Sequence, residues 1–197
     1  MTSKLALAAA VFLGIGIGLT APTVVAFAQS SGHGHASDNH AATPAGEAAM
    51  PTVRSATIDV KYPPNLAIQL FTAEGEKLWV GDRGWNPTYL RGDGFHRGDA
   101  FSVGPFTFIT TTYDQESGLA EYIRLFPGNN MALIRVEAAP SGSGSTATVT
   151  FEMTSLGEEG DVRVAAEAEG FELEIAEWEE RIVRFDDDIH AWLAARN

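Results

Sequence analysis

The sequence predicts an α+β domain in which an antiparallel β-meander packs against one long C-terminal helix. Large apolar residues between Val164 and Trp192 recur at spacings of three and four, which is the period of a single helix face. Between Thr88 and Leu156 the chain instead consists of short runs rich in β-branched and aromatic residues, separated by turns. Connections of hairpin length join these runs, so successive strands should pair antiparallel and leave one face for the helix.

Composition excludes several functions before any motif is considered. The chain has 197 residues, no cysteine and a formal net charge of -13. The acidic balance argues against nucleic acid as a partner, because a phosphate backbone needs a basic patch. It also argues against electrostatic docking on anionic lipid. Acidic residues concentrate between Glu158 and Asp188, which predicts a solvated outer face on the C-terminal helix.

Residues 1–28 have the pattern of a secretory signal peptide. An apolar run from Leu5 to Leu19 follows a single lysine, and Ala26-Phe27-Ala28 supplies the small residues that a signal peptidase reads. Cleavage before Gln29 would place the domain in the periplasm or outside the cell, without stable membrane insertion. The alternative is a retained N-terminal anchor, since the apolar stretch approaches the roughly 20 residues that span a bilayer.

Residues 29–51 are poor in large apolar side chains, which predicts a disordered linker. The linker contains His33, His35 and His40. These three imidazoles could hold a transition metal weakly, although no carboxylate-rich or cysteine framework accompanies them. A polar tether is the alternative and is the interpretation that we favour.

The predicted domain occupies residues 52–197 and begins with a strand from Thr52 to Lys61, where apolar and polar residues alternate. Asn65 to Trp79 predicts two short helices around Gly75, and Gly81 to Pro87 predicts a loop. Trp85 in this loop is either a plug over the edge of the core or the lip of a pocket.

Six further strands are predicted after this loop. They are Thr88–Arg91, Asp99–Val103, Phe106–Asp114, Leu119–Phe126, Met131–Ala138 and Ser145–Leu156, with Pro140 to Gly144 as a Gly/Ser loop. In the last strand Ala147, Val149, Phe151 and Met153 share one face, while threonines occupy most of the other. This alternation predicts a sheet with one face on a core and one face in water.

The closing helix is predicted to begin at a capping box, Ser155-Leu156-Gly157-Glu158, and to break near Gly170. Ion pairs are expected on its outer face between residues four apart, namely Glu177 with Arg181 and Glu180 with Arg184. A coiled coil is the alternative use of the apolar stripe. The stripe is aromatic on one side, however, and such side chains are too wide for a two-stranded seam.

Short motifs along the domain match a known family in order and spacing. They are Phe71 to Trp79, Glu121 to Arg124 with Phe126 to Gly128, Thr148 to Phe151 with Leu156 to Gly160, and Trp178-Glu179. Together they resemble small bacterial members of the SRPBCC superfamily, the START-like or helix-grip domains that include polyketide cyclase/dehydrase-like proteins. The resemblance covers about residues 52 to 195. It implies a sheet of six or seven strands wrapped around the long helix, with a cavity between them.

In that family the cavity often holds an apolar small molecule, so candidate lining residues can be named. They are Trp79, Trp85, Phe108, Tyr113, Tyr122, Arg124, Trp178 and Phe185. An inward Arg124 or Arg135 would bind a carboxylate ligand. Outward placement would pair the arginine with Glu121 or Glu137, and this is the placement that we expect. His96 and His190, the histidines of the domain, are expected to be solvated.

Three functions remain open at this point. The first is binding of an apolar small molecule or lipid in a cavity with few titratable groups. The second is cyclase- or hydrolase-like catalysis, which would require a buried acid–base pair with perturbed pKa values. The third is a structural or interaction domain whose cavity is filled by its own aromatic side chains. The sequence has no nucleophile motif, phosphate loop or metal-ligand spacing, so we predict no cofactor.

Overall fold

A computed structural model describes residues 50–196. The predicted signal peptide at 1–28 and the linker histidines His33, His35 and His40 lie outside the described residues. The strands are β1 Thr52–Val60, β2 Thr88–Arg91, β3 Ala100–Val103, β4 Phe106–Asp114, β5 Leu119–Phe126, β6 Asn130–Ser141 and β7 Gly144–Ser155. The helices are α1 Pro64–Ala67, α2 Ala73–Val80, α3 Glu158–Arg184 and α4 Asp186–Ala194.

The seven strands form one antiparallel sheet in the order β1-β7-β6-β5-β4-β3-β2. The predicted meander from β2 to β7 is therefore confirmed. The first strand pairs with the last, with Thr52 opposite Met153 and Val60 opposite Ser145. Because α1 and α2 follow β1 directly, this pairing brings both short helices beside the face that α3 covers.

Side chains on β7 alternate as the sequence predicted. Ala147, Val149, Phe151 and Met153 are all buried, and they lie opposite alanine, valine and isoleucine residues of β6. The predicted loop from Pro140 to Gly144 is wrong in its extent, because β6 continues to Ser141 and β7 begins at Gly144. Pro140 lies beyond Glu137, the last β6 residue paired with β5, so its missing N–H breaks no ladder.

The two short helices are confirmed, but Gly75 does not separate them. A 3-10 turn, Ile68–Phe71, follows α1, and Thr72 begins α2. The Thr72 hydroxyl donates to the Gln69 carbonyl at 2.7 Å and accepts from the Gly75 amide at 3.1 Å. A Cβ at Gly75 would collide with the Gln69 carbonyl oxygen. Glycine is therefore needed for the close approach of the first turn of α2 to the preceding 3-10 turn.

The closing helix differs from the prediction at both proposed irregular points. Helix α3 runs unbroken through Gly170, and the break falls at Phe185, before α4. The capping box is also absent, since Gly157 precedes the helix and no side chain caps it. Ser155 still belongs to β7, and its hydroxyl bonds with the Gly157 backbone instead.

The apolar stripe of α3 and α4 is confirmed as the face that meets the sheet. Val164, Phe171, Ile175, Ile182 and Ile189 are buried. The remaining stripe residues, Ala168, Trp178, Phe185 and Trp192, pack against the same core and are partly buried. Among residues 50–196 no helix has the length and hydropathy to span a bilayer.

The prediction that the charged residues of the C-terminal helix lie in solvent is wrong for three of them, which are spaced seven apart. Glu167, Glu174 and Arg181 are only 0%, 6% and 3% exposed. Arg181 donates to the Trp79 carbonyl at 2.6 Å and pairs with Asp82. In the described part of the chain neither expected i,i+4 pair forms. For Glu177 and Arg181 the loop after α2 supplies other partners, since Glu177 pairs with Arg83.

Candidate functional site

A cavity of about 70 Å³ lies between the inner face of the sheet, α2 and α3. Its walls are mostly aromatic, and the charged side chains among them are two glutamates and one arginine. The lining residues are Phe71, Ala73, Glu76, Val80, Trp85, Phe101, Phe108, Tyr122, Arg124, Ile134, Phe151, Glu174 and Trp178.

Five of the eight residues named from the sequence lie in this lining, namely Trp85, Phe108, Tyr122, Arg124 and Trp178. Trp85 covers one side, where its indole N–H donates to the Ala73 carbonyl at 3.0 Å. Its ring meets Phe108 edge to face, with ring centroids 5.5 Å apart. Trp85 therefore closes the core edge and lines the cavity, which combines the two roles considered for it.

The other three named residues, Trp79, Tyr113 and Phe185, lie outside the lining. Trp79 is buried behind Trp178, with ring centroids 5.4 Å apart, and its N–H donates to the Leu70 carbonyl at 2.9 Å. Tyr113 follows a register shift in β4 and packs on Phe95 at 5.4 Å. Phe185 occupies the break between α3 and α4, beside the Arg181 guanidinium.

Arg124 points inward, which corrects the expectation that it pairs with an outer glutamate. It is 2% exposed, and its Nη2 donates to Glu167 Oε2 at 2.6 Å. The rings of Phe106 and Phe151 lie 5.2 and 5.6 Å from its guanidinium carbon. Because Glu167 already neutralises this guanidinium, the cavity does not offer the arginine that a carboxylate ligand would need.

Arg135 has the outward placement that was expected. Its two terminal nitrogens donate to Glu121 at 2.6 Å and Glu137 at 3.1 Å on the outer face of the sheet. All three side chains are substantially exposed, so this cluster contributes little to stability.

Glu76 is the most unusual group in the cavity. Burial raises the pKa of its carboxyl well above the ordinary value. The residue is half-buried and lines the cavity. Within residues 50–196 no hydrogen bond or ion pair reaches this carboxyl. An ionisable group in this setting lowers the stability of the fold unless a molecule that enters the cavity binds it.

Glu174 is the second carboxyl in the lining. Burial raises its pKa, against the opposing effects of the Trp178 N–H and of the charges of Arg83 and Arg181. The indole N–H of Trp178 donates to its Oε1 at 3.1 Å, one helical turn away. Two carboxyls with raised pKa values therefore face one small space.

Tyr122 also lines the cavity, but its hydroxyl is already engaged. It donates to the Phe71 carbonyl at 3.1 Å. Burial raises its pKa well above the ordinary value, and the nearby Glu76 adds to the shift. This tyrosine is consequently a neutral hydrogen-bond donor that fixes the 3-10 turn before α2 against β5.

Comparison with known proteins identifies the architecture. No family model and no curated protein matches the sequence. The chain is similar to a solved protein from Mesorhizobium loti, with a TM-score of 0.51 and 8% identity over 68% of this chain and 98% of that chain. The domain is a helix-grip α+β fold.

Two further solved structures give similar superpositions. For a Rhodobacter sphaeroides protein the TM-score is 0.49 at 17% identity, covering 72% of this chain and 93% of that chain. For Ara h 8.0201 the TM-score is 0.48 at 12% identity, covering 74% of this chain and 99% of that chain. At such identities the likeness is one of fold, and the ligand and chemistry of this helix-grip domain have to be argued from its own residues.

Sequence reasoning assigned acidic residues to solvent and therefore missed three glutamates of this helix-grip domain. Glu167 and Glu174 are buried, and Glu76 is half-buried. Glu167 and Glu174 fall seven residues apart, next to the apolar stripe, and that spacing was a usable signal. Glu76 lies in the Phe71 to Trp79 motif, but its side chain received no role.

A second polar cluster lies in the loop before β3. Asp93, His96 and Asp99 place possible ligand atoms within 4.8 Å of one another. Asp99 accepts backbone N–H groups of Asp93, Gly94 and His96 at 3.3, 3.1 and 2.9 Å. Although burial opposes it, these bonds lower the pKa of Asp99, so the cluster is explained by the folding of the loop. His96 is exposed, as expected.

Proposed function

We propose that this protein is an exported, SRPBCC-type domain that binds a small molecule with an apolar body between the sheet and α3. The observation that carries the proposal is the cavity itself, where seven of the thirteen lining residues are aromatic. Small-molecule sites are typically concave and apolar, with a few polar groups that fix orientation. The resemblance to helix-grip families in residues 52 to 195 supports the same use of the space.

The volume of the cavity limits the size of the ligand. At about 70 Å³ it has room for roughly five to seven water-sized spheres. Drug-sized ligands occupy pockets of roughly 300–1,000 Å³. A ligand of about one ring therefore fits better than a lipid, which would require α2 or the Trp85 loop to move.

The alternative of a purely structural core has partial support, because Phe101 and Phe108 stack at 5.0 Å and Trp79 packs on Trp178. A core selected only for packing would place an apolar side chain at Glu76, since an unpartnered buried carboxyl is destabilising. The carboxyl in the remaining space favours binding over a structural role.

Acid–base catalysis is the second candidate, and one observation favours it. Glu76 and Glu174 both have raised pKa values and face the same cavity. Carboxyls of this kind serve as general acids near neutral pH. Chemical conversion of a bound compound, followed by mass spectrometry of the ligand over time, would distinguish an enzyme from a binder.

Native mass spectrometry of the protein purified from its own cell envelope tests the proposed binding. We expect a mass adduct of a small organic molecule on the wild-type protein. Ala73→Leu would fill the cavity and abolish the adduct, because Ala73 is buried in the lining. Ala194→Leu makes the same change on the exposed side of α4 and should retain it. No adduct on the wild type, or an unchanged adduct on Ala73→Leu, would contradict the proposal.

Export is supported by residues 1–28 alone. The mass of the intact protein in the same experiment tests it, since cleavage before Gln29 predicts a chain that begins at that residue. A full-length mass would instead support the retained anchor.

A further inference from the structure

We propose that the ligand of this cavity is a small organic ammonium ion, and that Glu76 is its counter-ion. The inference rests on the proposed function, since it assigns a charge to the molecule that the cavity binds. It differs from the alternative in which an inward arginine binds a ligand carboxylate.

The ionisable groups around the cavity include one carboxyl that has no partner. Arg124 on β5 is paired with Glu167 at 2.6 Å. Glu174 on α3 accepts the Trp178 N–H and lies near the charges of Arg83 and Arg181. Tyr122 on β5 is neutral. Glu76 on α2 has no hydrogen-bond or ion-pair partner within residues 50–196, so a cation is the ligand charge that the lining lacks.

The aromatic walls of the cavity also favour a positively charged ligand. Aromatic faces carry negative electrostatic potential and attract ammonium groups, more strongly when the contact is desolvated. Trp85, Phe108 and Trp178 line the cavity together with Glu76. An anionic ligand would instead meet these aromatic rings and two acidic side chains, while the guanidinium of Arg124 is paired with Glu167.

Proton exchange follows from the burial of Glu76. In the free protein burial raises the pKa of Glu76, so the carboxyl holds its proton to a higher pH than an ordinary glutamate does. A bound ammonium ion favours the carboxylate, so binding converts the carboxylic acid into a carboxylate and releases one proton to solvent. The ammonium group keeps its own protons, and charge is conserved. Cation affinity should therefore rise with pH until the free protein is itself ionised at Glu76.

Isothermal titration calorimetry with three matched ring compounds tests the charge. Benzylamine is the cation, benzyl alcohol is neutral and benzoate is the anion, while size is nearly constant. We expect benzylamine to bind the purified full protein at least about tenfold more tightly than benzyl alcohol, and benzoate to bind weakest. Glu76→Gln should abolish this preference. Glu169→Gln, an equal charge change on the exposed face of α3, should retain it.

A second measurement does not depend on any variant folding. Titrating benzylamine into the wild type in two buffers of different ionisation enthalpy should reveal release of up to one proton, and benzyl alcohol should release none. Equal affinity for benzylamine and benzyl alcohol, or absent proton release, would overturn the ammonium inference while leaving the binding function intact. If no ring compound binds, both proposals fail. If Glu76→Gln keeps the preference, Glu76 is not the counter-ion.

Discussion

The buried ion pair between Arg124 and Glu167 should be one of the largest single contributors to the uniqueness of this core. The two side chains are 3% and 0% exposed, and their atoms lie 2.6 Å apart. Replacing Glu167 by Gln keeps the shape but leaves the guanidinium charge without its carboxylate in the protein interior. Removing one partner of a buried pair typically costs about 3–5 kcal/mol. For a domain of this size that corresponds to a decrease in Tm of roughly 6–20 °C.

Urea denaturation of the purified protein measures this loss, and the chain offers a matched control. Arg135 and Glu121 also lie 2.6 Å apart, but their side chains are 45% and 32% exposed. Glu121→Gln should therefore cost less than about 1 kcal/mol. The double variant Arg124→Met with Glu167→Leu should recover most of the stability lost by Glu167→Gln, because it removes both charges. A loss for Glu167→Gln no larger than that for Glu121→Gln would refute the reasoning.

Two further predictions concern α2. Gly75→Ala should destabilise the protein by about 1–3 kcal/mol in urea denaturation, because the added Cβ meets the Gln69 carbonyl oxygen; stabilisation by about 1 kcal/mol, the gain of alanine in an open helix, would show that the close approach is absent. Glu76→Gln should gain stability relative to wild type as pH rises from about 5 to 8. The folded protein binds the Glu76 proton more tightly than the unfolded chain, so deprotonation destabilises only the wild type. The same urea experiment at both pH values measures the difference, and a pH-independent difference would contradict the raised pKa.

Periodicity made the secondary structure predictable. The spacing of three and four from Val164 to Trp192 and the alternation on β7 both report how a regular backbone presents side chains to one surface. These features need no knowledge of the partner surface. The helix-grip arrangement followed because a meander with one apolar face and a long amphipathic helix have few ways to cover each other.

The buried charges could not be predicted in the same way, because their partners are distant in sequence. Arg124 and Glu167 are 43 residues apart, and Arg181 and Asp82 are 99 apart. A charged residue near an apolar stripe usually lies at the solvated margin of that stripe. The local sequence pattern therefore predicts exposure for residues that are in fact buried. Only the tertiary contact between β5, α3 and the loop after α2 removes Arg124, Glu167 and Arg181 from water.

The sequence predicted that the cavity would be lined mainly by aromatic residues, but it predicted less well which residues line it. Trp85, Phe108, Tyr122, Arg124 and Trp178 reach it because their elements converge on α2. Trp79 is directed behind the wall by its bond to the Leu70 carbonyl. Tyr113 is displaced by the register shift in β4, which no local propensity in that strand announces. Glu76 was missed because its role depends on the space in front of it.

The state of the Glu76 carboxyl tests the central claim most directly. Carbon-13 NMR of the side-chain carboxyl, assigned with Glu76→Gln, can follow its titration with and without benzylamine. We predict a pKa well above the ordinary glutamate value in the free protein and a clear decrease when benzylamine is bound. A Glu76 carboxyl that titrates at its ordinary value, or that does not respond to benzylamine, would contradict the assignment of this cavity as an ammonium-binding site.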